Sequence, residues 1–284
     1  MKPRRALALA FHLAAWGWAG PRLAAAQSMV GPFQPAQPAR YLLTTDAVDA
    51  RALWVNPAGL VRQVEASLGA DVTADRFAPG TGARLSQYGA TIANRGIAAG
   101  WVHDRYQNGP ALNIYAVGLG LGDERLSAGI THRWFAGALK GSSWDVAARI
   151  ASREGDQVSL VASNLGSPRL SDSTFLGATL VPGALLSLLA GRLQAAGEWE
   201  VATRGWRSQA IRLGGMVAVS PGVALSLRAD LSPGFKRRDF ALALTLAGPK
   251  GRAGGFALLP GGANEVDALG LSGALVTRAA PPRR

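Results

Sequence analysis

The stretch Leu193–Arg204, LQAAGEWEVATR, alternates along its length, with Leu193, Ala195, Trp199 and Val201 on one side of a pleated strand and Gln194, Glu198 and Glu200 on the other. The same period of two recurs on both sides of it. Trp144, Val146, Ala148 and Ile150 oppose Asp145 and Arg149, and Leu68, Ala70 and Val72 oppose Glu65, Ser67 and Asp71. Ile211, Leu213 and Val217 oppose Arg212, while Val223, Leu225, Leu227 and Leu231 oppose Ser226, Arg228 and Asp230. Each such segment has one dry face and one polar face.

A soluble sandwich shares this alternation, so the polar faces and the turns decide between the two. The polar faces carry Gly, Ala, Ser and Thr between scattered charges, as a confined lumen needs, instead of the dense Lys and Glu of a solvated surface. Tight reversals at 94–96, 122–125, 153–156, 220–222 and 249–251 alternate with longer connections such as 76–82, 165–172 and 232–239. That alternation is the sign of an outer-membrane barrel with short periplasmic turns, and its parity puts the N-terminus in the periplasm. The expected fold is all-β, a closed antiparallel transmembrane β-barrel over 62–278 with about fourteen strands, twelve being the alternative count. The segment 181–192, VPGALLSLLAGR, is open between a turn, an extra strand and an interfacial helix. Closure is required because lipid cannot satisfy an open strand edge.

Composition agrees with a wall in lipid. Charged residues make up only 17% of the chain and 36 of its 284 residues are glycine, a poor match to a soluble globular surface. With no cysteine there is no disulfide framework, thiolate metal site, cysteine nucleophile or lipid anchor. Residues 1–26 have the form of a signal peptide: Lys2, Arg4 and Arg5 precede an apolar run, and Ala24-Ala25-Ala26 offers a cleavage site. Its removal takes four cations and no acid, so the formal charge falls from +12 to +8. The remaining arginines are spread along the chain instead of gathered on one face, which argues against nucleic acid. The densest cluster, Lys236-Arg237-Arg238, reads as a solvated loop or as a contact with anionic lipid headgroups.

Residues 27–61 form a lead-in and plug segment, and 279–284, AAPPRR, a C-terminal tail. Within the former, Asp46–Leu60, DAVDARALWVNPAGL, reads as a short helix capped by Asp46 and running through Leu53. Pro57 then forces Asn56 out of helical backbone, and Gly59 permits a reversal into the first strand. Residues 53–60, LWVNPAGL, resemble the N-terminal motif of outer-membrane barrels related to the long-chain fatty-acid transporter FadL and the secretion-system barrel PorV. The resemblance implies both termini in the periplasm and a lumen partly closed by N-terminal residues, with Trp54, Asn56, Pro57 and Gly59 in the plug.

The lumen-lining set expected from the alternation is Glu65, Asp71, Asp145, Arg149, Glu198, Glu200, Arg212, Arg228 and Asp230. Glu198, Glu200, Arg212, Arg228 and Asp230 come from three consecutive strands with opposite signs, so they are expected to form a cross-strand network bracing the plug. Catalysis has little to stand on: His103 and His132 lack a placed partner, and the glycines of GLGLG, 118–122, fall in a strand with no following helix or lysine. No metal site or cofactor is expected, and the chain is read as non-enzymatic. The expectation is a barrel of the bacterial outer membrane, surrounded by lipid and inserted by the barrel-assembly machinery, that passes small hydrophobic molecules. The alternative is an anchor or scaffold for a periplasmic or secretion partner, and a barrel hydrolase stands third.

Overall fold

The computed structural model describes residues 42–45, 47, 49–62, 66–76, 83–105, 111–137, 140–167, 176–248, 251–260 and 268–277. Residues 1–26, read as a signal peptide, 279–284, read as a tail, and Asp46 and Glu65 lie outside them. Fourteen antiparallel strands close into one barrel, each paired to its sequence neighbours and β1 to β14. They are β1 (Ala66–Arg76), β2 (Ala83–Asn94), β3 (Ile97–Asp104), β4 (Leu112–Gly122), β5 (Leu126–Gly137), β6 (Gly141–Ala151) and β7 (Gln157–Leu165). The second half is β8 (Thr179–Leu188), β9 (Leu193–Ala202), β10 (Arg207–Ser220), β11 (Val223–Leu231), β12 (Arg237–Gly248), β13 (Gly251–Pro260) and β14 (Ala268–Thr277). The count of twelve is therefore excluded.

Burial follows the sequence alternation. On β6, Ser143, Asp145, Ala147 and Arg149 are buried inside while Trp144, Val146, Ala148 and Ile150 are exposed outside. The outer belt includes Leu68, Ile92, Leu121, Leu213, Leu227, Leu244 and Leu271, large apolar side chains left open to their surroundings. A soluble protein does not expose a continuous band of that kind; a bilayer solvates it. Near the end of the barrel opposite the start of β1 and the end of β14, the outside of β2–β6 carries a ring cluster. Tyr88 packs on Trp101 and His103, Tyr115 stacks on Trp134, and His132 sits against Trp134 and Trp144. Amphipathic rings at one height mark the level of the membrane interface.

The segment 181–192, open between a turn, an extra strand and an interfacial helix, is mostly strand, though not an extra one: β8, the eighth of the fourteen, spans Thr179–Leu188 and a 3-10 turn follows over Leu189–Gly191. Pro182-Gly183 suggests a turn in sequence, yet Pro182 points outward beside Leu160, and the ladder between β8 and β9 skips positions 181 and 182, where proline has no N–H to give. The helix covers Ala52–Val55, not residues up to Leu53 from a cap at 46, and is here called α1; Asp49 accepts the backbone N–H of Arg51 at 2.7 Å just before it. Gly59 makes no reversal, since Pro57–Arg62 continue as a 3-10 helix and β1 begins only at Ala66.

Both ends of the wall sequence, the start of β1 and the end of β14, lie where the connections are 95–96, 123–125, 152–156, 189–192, 221–222 and 249–250. At the opposite end, 105–111, 166–178 and 261–267 are the longest. The connection read as 232–239 closes in 232–236 because β12 starts at Arg237.

Candidate functional site: a lumen packed around an inner segment

Residues 42–45, 47 and 49–62 lie inside the barrel, and the residues of the Asn-Pro-Ala-Gly motif each have a visible task there. Asn56 has extended backbone, as a residue before proline requires. Its Nδ2 donates to the Thr44 carbonyl at 2.8 Å and its Oδ1 accepts the Ala58 N–H at 3.1 Å, which ties two passes of the segment together. Pro57 opens the 3-10 helix, where its missing N–H costs nothing. Ala58 is fully buried. At Gly59 a Cβ would fall 2.0 Å from the carbonyl oxygen of Ala47, so the neighbouring pass leaves room for hydrogen alone.

The wall is shaped to receive this segment. At Gly100 a Cβ would lie 2.6 Å from Trp54 Cζ2, at Gly118 2.7 Å from Leu53 Cδ1, and at Gly129 2.3 Å from the Pro57 carbonyl carbon. Gly214 is as closely covered by Leu43 Cδ1, at 2.5 Å. Leu53 and Leu60 are 0% exposed between these strands and pack with Val102, Leu112, Ile114 and Phe135. Trp54 Nε1 donates to Thr91 Oγ1 at 2.9 Å, so the ring buries its face and keeps its one polar group satisfied. The glycines of 118–122, featureless for chemistry, thus include two inward positions, Gly118 and Gly120, that meet Leu53 and Leu60.

Above the segment, toward the longer connections, lies a cavity of about 120 Å3 floored by Leu42, Thr44 and Val55. On one side Ile114, Phe135, Val161 and Val181 share the lining with Arg133, Ser163, Asn164 and Thr179. The other side is charged. Arg212 on β10 reaches Glu200 and Glu198 (4.0 Å) on β9 and Asp230 (3.5 Å) on β11. Arg228 forks onto Asp230 at 2.6 and 2.7 Å and donates Nη1 to the Leu42 carbonyl at 2.8 Å. Glu198 in turn accepts the Thr44 N–H. Five charges from three strands therefore hold each other and the inner segment together. At this depth such pairing offsets the cost of leaving water.

The remaining expected positions fall elsewhere. Asp145 accepts Arg133 Nη2 at 2.6 Å and the Asn164 N–H at 2.9 Å, on the cavity's β5–β7 side. Arg149, on the same inward face of β6, lies toward the short turns and is held by Ser127 Oγ (3.2 Å), Gln157 Oε1 (3.4 Å) and the Glu124 carbonyl (3.1 Å). Asp71 borders a separate void of about 10 Å3 beside Trp54, Thr73 and Gln87, near the size of one water. Sequence reading passed over Arg133, whose inward parity follows from outward His132 and Trp134. It also passed over Arg252 on β13, which pairs with Asp49 of the inner segment. Burial alone would push the Asp49 carboxyl up, but the Arg51 guanidinium at 2.8 Å, and then Arg252, hold it below the usual carboxylate range.

The histidines have packing partners: His103 Nδ1 and Trp101 Nε1 both lie 3.1 Å from Asn113 Oδ1, and His132 is stacked between tryptophans. Among the described residues no cluster of three metal-ligating side chains occurs.

Comparison with solved structures returns outer-membrane barrels. The CymD monoaromatic hydrocarbon channel aligns over 81% of this chain and 92% of its own, with a TM-score of 0.54 and 10% identity. The outer membrane protein Omp33 of Acinetobacter baumannii aligns over 75% of this chain and 98% of its own, with a TM-score of 0.49 and 8% identity. For the KdgM porin the figures are 75%, 99%, 0.43 and 7%. No protein-family model matches the sequence and no curated protein is similar to it, so the likeness to FadL and PorV barrels rests on residues 53–60. The shared feature is fold, and with the apolar outer belt and the closed ladder it makes this chain a fourteen-stranded β-barrel of the bacterial outer membrane.

Proposed function

We propose that the barrel is a passive channel for small hydrophobic molecules, with residues 42–62 acting as a plug. The observation that carries this reading is the cavity of about 120 Å3 resting on Leu42 and Val55, to which Ile114, Phe135, Val161 and Val181 give apolar surface beside Arg133, Ser163, Asn164 and Thr179. An apolar cavity of about 150 Å3 accepts a benzene ring, so the space suits one small ring or a short aliphatic chain. The charged side does not oppose this, because Glu198, Glu200, Arg212, Arg228 and Asp230 are engaged with one another. The CymD barrel, described as a monoaromatic hydrocarbon channel, supports the same direction through its fold.

The test is uptake of labelled toluene and of a labelled monosaccharide by a porin-depleted Gram-negative host, with and without the barrel. Faster toluene entry with little change for the sugar is the expected result. Unchanged toluene entry, or a gain for the sugar alone, overturns the reading. A second reading, a non-transporting anchor, is favoured by the tight seating of Leu53, Trp54 and Pro57 on Gly100, Gly118 and Gly129. It requires that neither solute enters faster and that a periplasmic partner is retained by the barrel.

A further inference from the structure

At the rim opposite the start of β1 and the end of β14, two turns lie side by side: 203–206 between β9 and β10, and 232–236 between β11 and β12. Arg238 bridges them by donating Nη1 to the Gln209 carbonyl at 3.2 Å. The stretches are TRGWRSQ (203–209) and SPGFKRRD (232–239), which hold five cations and one acid, Asp239. Arg204, Arg207, Lys236, Arg237 and Arg238 are all exposed. Each turn also raises one large ring: Trp206 is 70% exposed and Phe235 51%. Both hold positive φ, 48° and 59°, as the tight reversal of a hairpin turn requires, which lifts the two rings clear of the wall.

The surroundings choose the partner. Outward and below, the patch runs into the apolar wall of Trp199, Leu213, Leu227 and Leu242, the face that meets acyl chains. Inward, it meets Glu200, Arg212, Arg228 and Asp230, whose charges are paired with one another. Cations above, rings at the edge and an apolar wall beneath match an amphiphile with anionic oxygens on its head.

We propose that this rim docks the phosphorylated headgroup of an outer-leaflet lipid. Arg204, Arg207, Lys236 and Arg238 meet the phosphate oxygens, and Trp206 and Phe235 enter between the acyl chains. The full-length barrel, folded in a zwitterionic detergent, is titrated with bis-phosphorylated lipid A and with its dephosphorylated form. Correct folding of each variant is read from heat-modifiable gel mobility. The wild type should prefer the phosphorylated lipid and lose that preference as salt is added.

The variant carrying R204A, R207A, K236A and R238A should bind it on the order of a hundredfold more weakly, since each cation near an anionic headgroup contributes about fivefold and not all four engage at once. Exposed Arg153 and Arg192 lie in the turns of the opposite rim, and the variant R153A with R192A should bind like the wild type. Equal affinity for the two lipid forms overturns the proposal, as does equal weakening by the two sets of substitutions. So does tighter binding of a soluble single-stranded oligonucleotide than of lipid A. If the fourfold variant does not fold, the salt series and the two-lipid comparison on the wild type still decide.

Discussion

Gly129→Ala adds one methyl group to the wall of β5 and is aimed at the seat of the inner segment. The new Cβ would stand 2.3 Å from both the carbonyl carbon and oxygen of Pro57 and 2.6 Å from the Ala58 nitrogen. These are backbone atoms inside a 3-10 helix and cannot swing aside as a side chain end would. Overpacking of this kind costs about 1–3 kcal/mol. Alanine is otherwise at least as good a strand residue as glycine, so the loss must come from the contact with Pro57. If the strain is relieved by releasing the segment, the undocked population rises roughly 5- to 140-fold, at about 1.4 kcal/mol per factor of ten. Arg51, whose side chain is 13% exposed while paired with Asp49, then becomes accessible, so trypsin should cut the reconstituted variant there faster than the wild type, and ionic conductance in a planar bilayer should increase. Gly197→Ala is the control, since its Cβ would meet Leu213 Cδ2 at 3.6 Å and the Arg212 carbonyl oxygen at 3.9 Å, both ordinary contacts. Unchanged cleavage and conductance in Gly129→Ala, or equal changes in the two variants, would refute the account of the segment as seated by glycine.

The face assignment predicts that Leu227→Arg, at a position 45% exposed on the lipid side, destabilises by about 2–4 kcal/mol near midplane, whereas inward Ser226→Arg is far milder; urea unfolding in lipid vesicles checks the difference. Arg212→Ala removes the cation shared by Glu198, Glu200 and Asp230, leaving Asp230 its Arg228 partner, and should cost roughly 3–5 kcal/mol with a rise in small-solute permeability, while Arg237→Ala at the start of β12 changes neither measurably. Asn56→Ala removes the clamp between Thr44 and Ala58 and should lower stability by about 1–3 kcal/mol, read from the same unfolding curves. The Asp49 carboxyl titrates below its unfolded value of 3.8, so its pairing with Arg51 and Arg252 contributes fully above that value and fades only as pH falls through the lower folded one. Conductance should therefore stay flat from about pH 7 to pH 5, and an increase within that range would show that Asp49 does not hold the segment.

The sequence by itself determined the wall. A strand offers two faces at a period of two, so Trp144, Val146 and Ile150 against Asp145 and Arg149 fixes which side meets lipid before any neighbour is known. Turn spacing fixed the antiparallel order and the end at which both termini of the wall lie. Where the signal is local but two readings share it, the sequence stopped: Pro182-Gly183 is as good a turn as it is an edge of strand, and only pairing with Leu160 on one side and the gap opposite β9 chose the strand. The site was legible as parity but not as position. Asp145 and Arg149 share a face, yet one joins Arg133 and Asn164 by the outer cavity and the other Ser127 and Gln157 near the short turns, because two strand pitches separate them along the barrel axis. Least legible were the contacts between segments far apart in sequence. That Gly129 must stay bare for Pro57, that Arg228 reaches the Leu42 carbonyl, and that Asp49 finds Arg252 depend on how a closed ladder curves around a chain threaded through it, which no local pattern encodes.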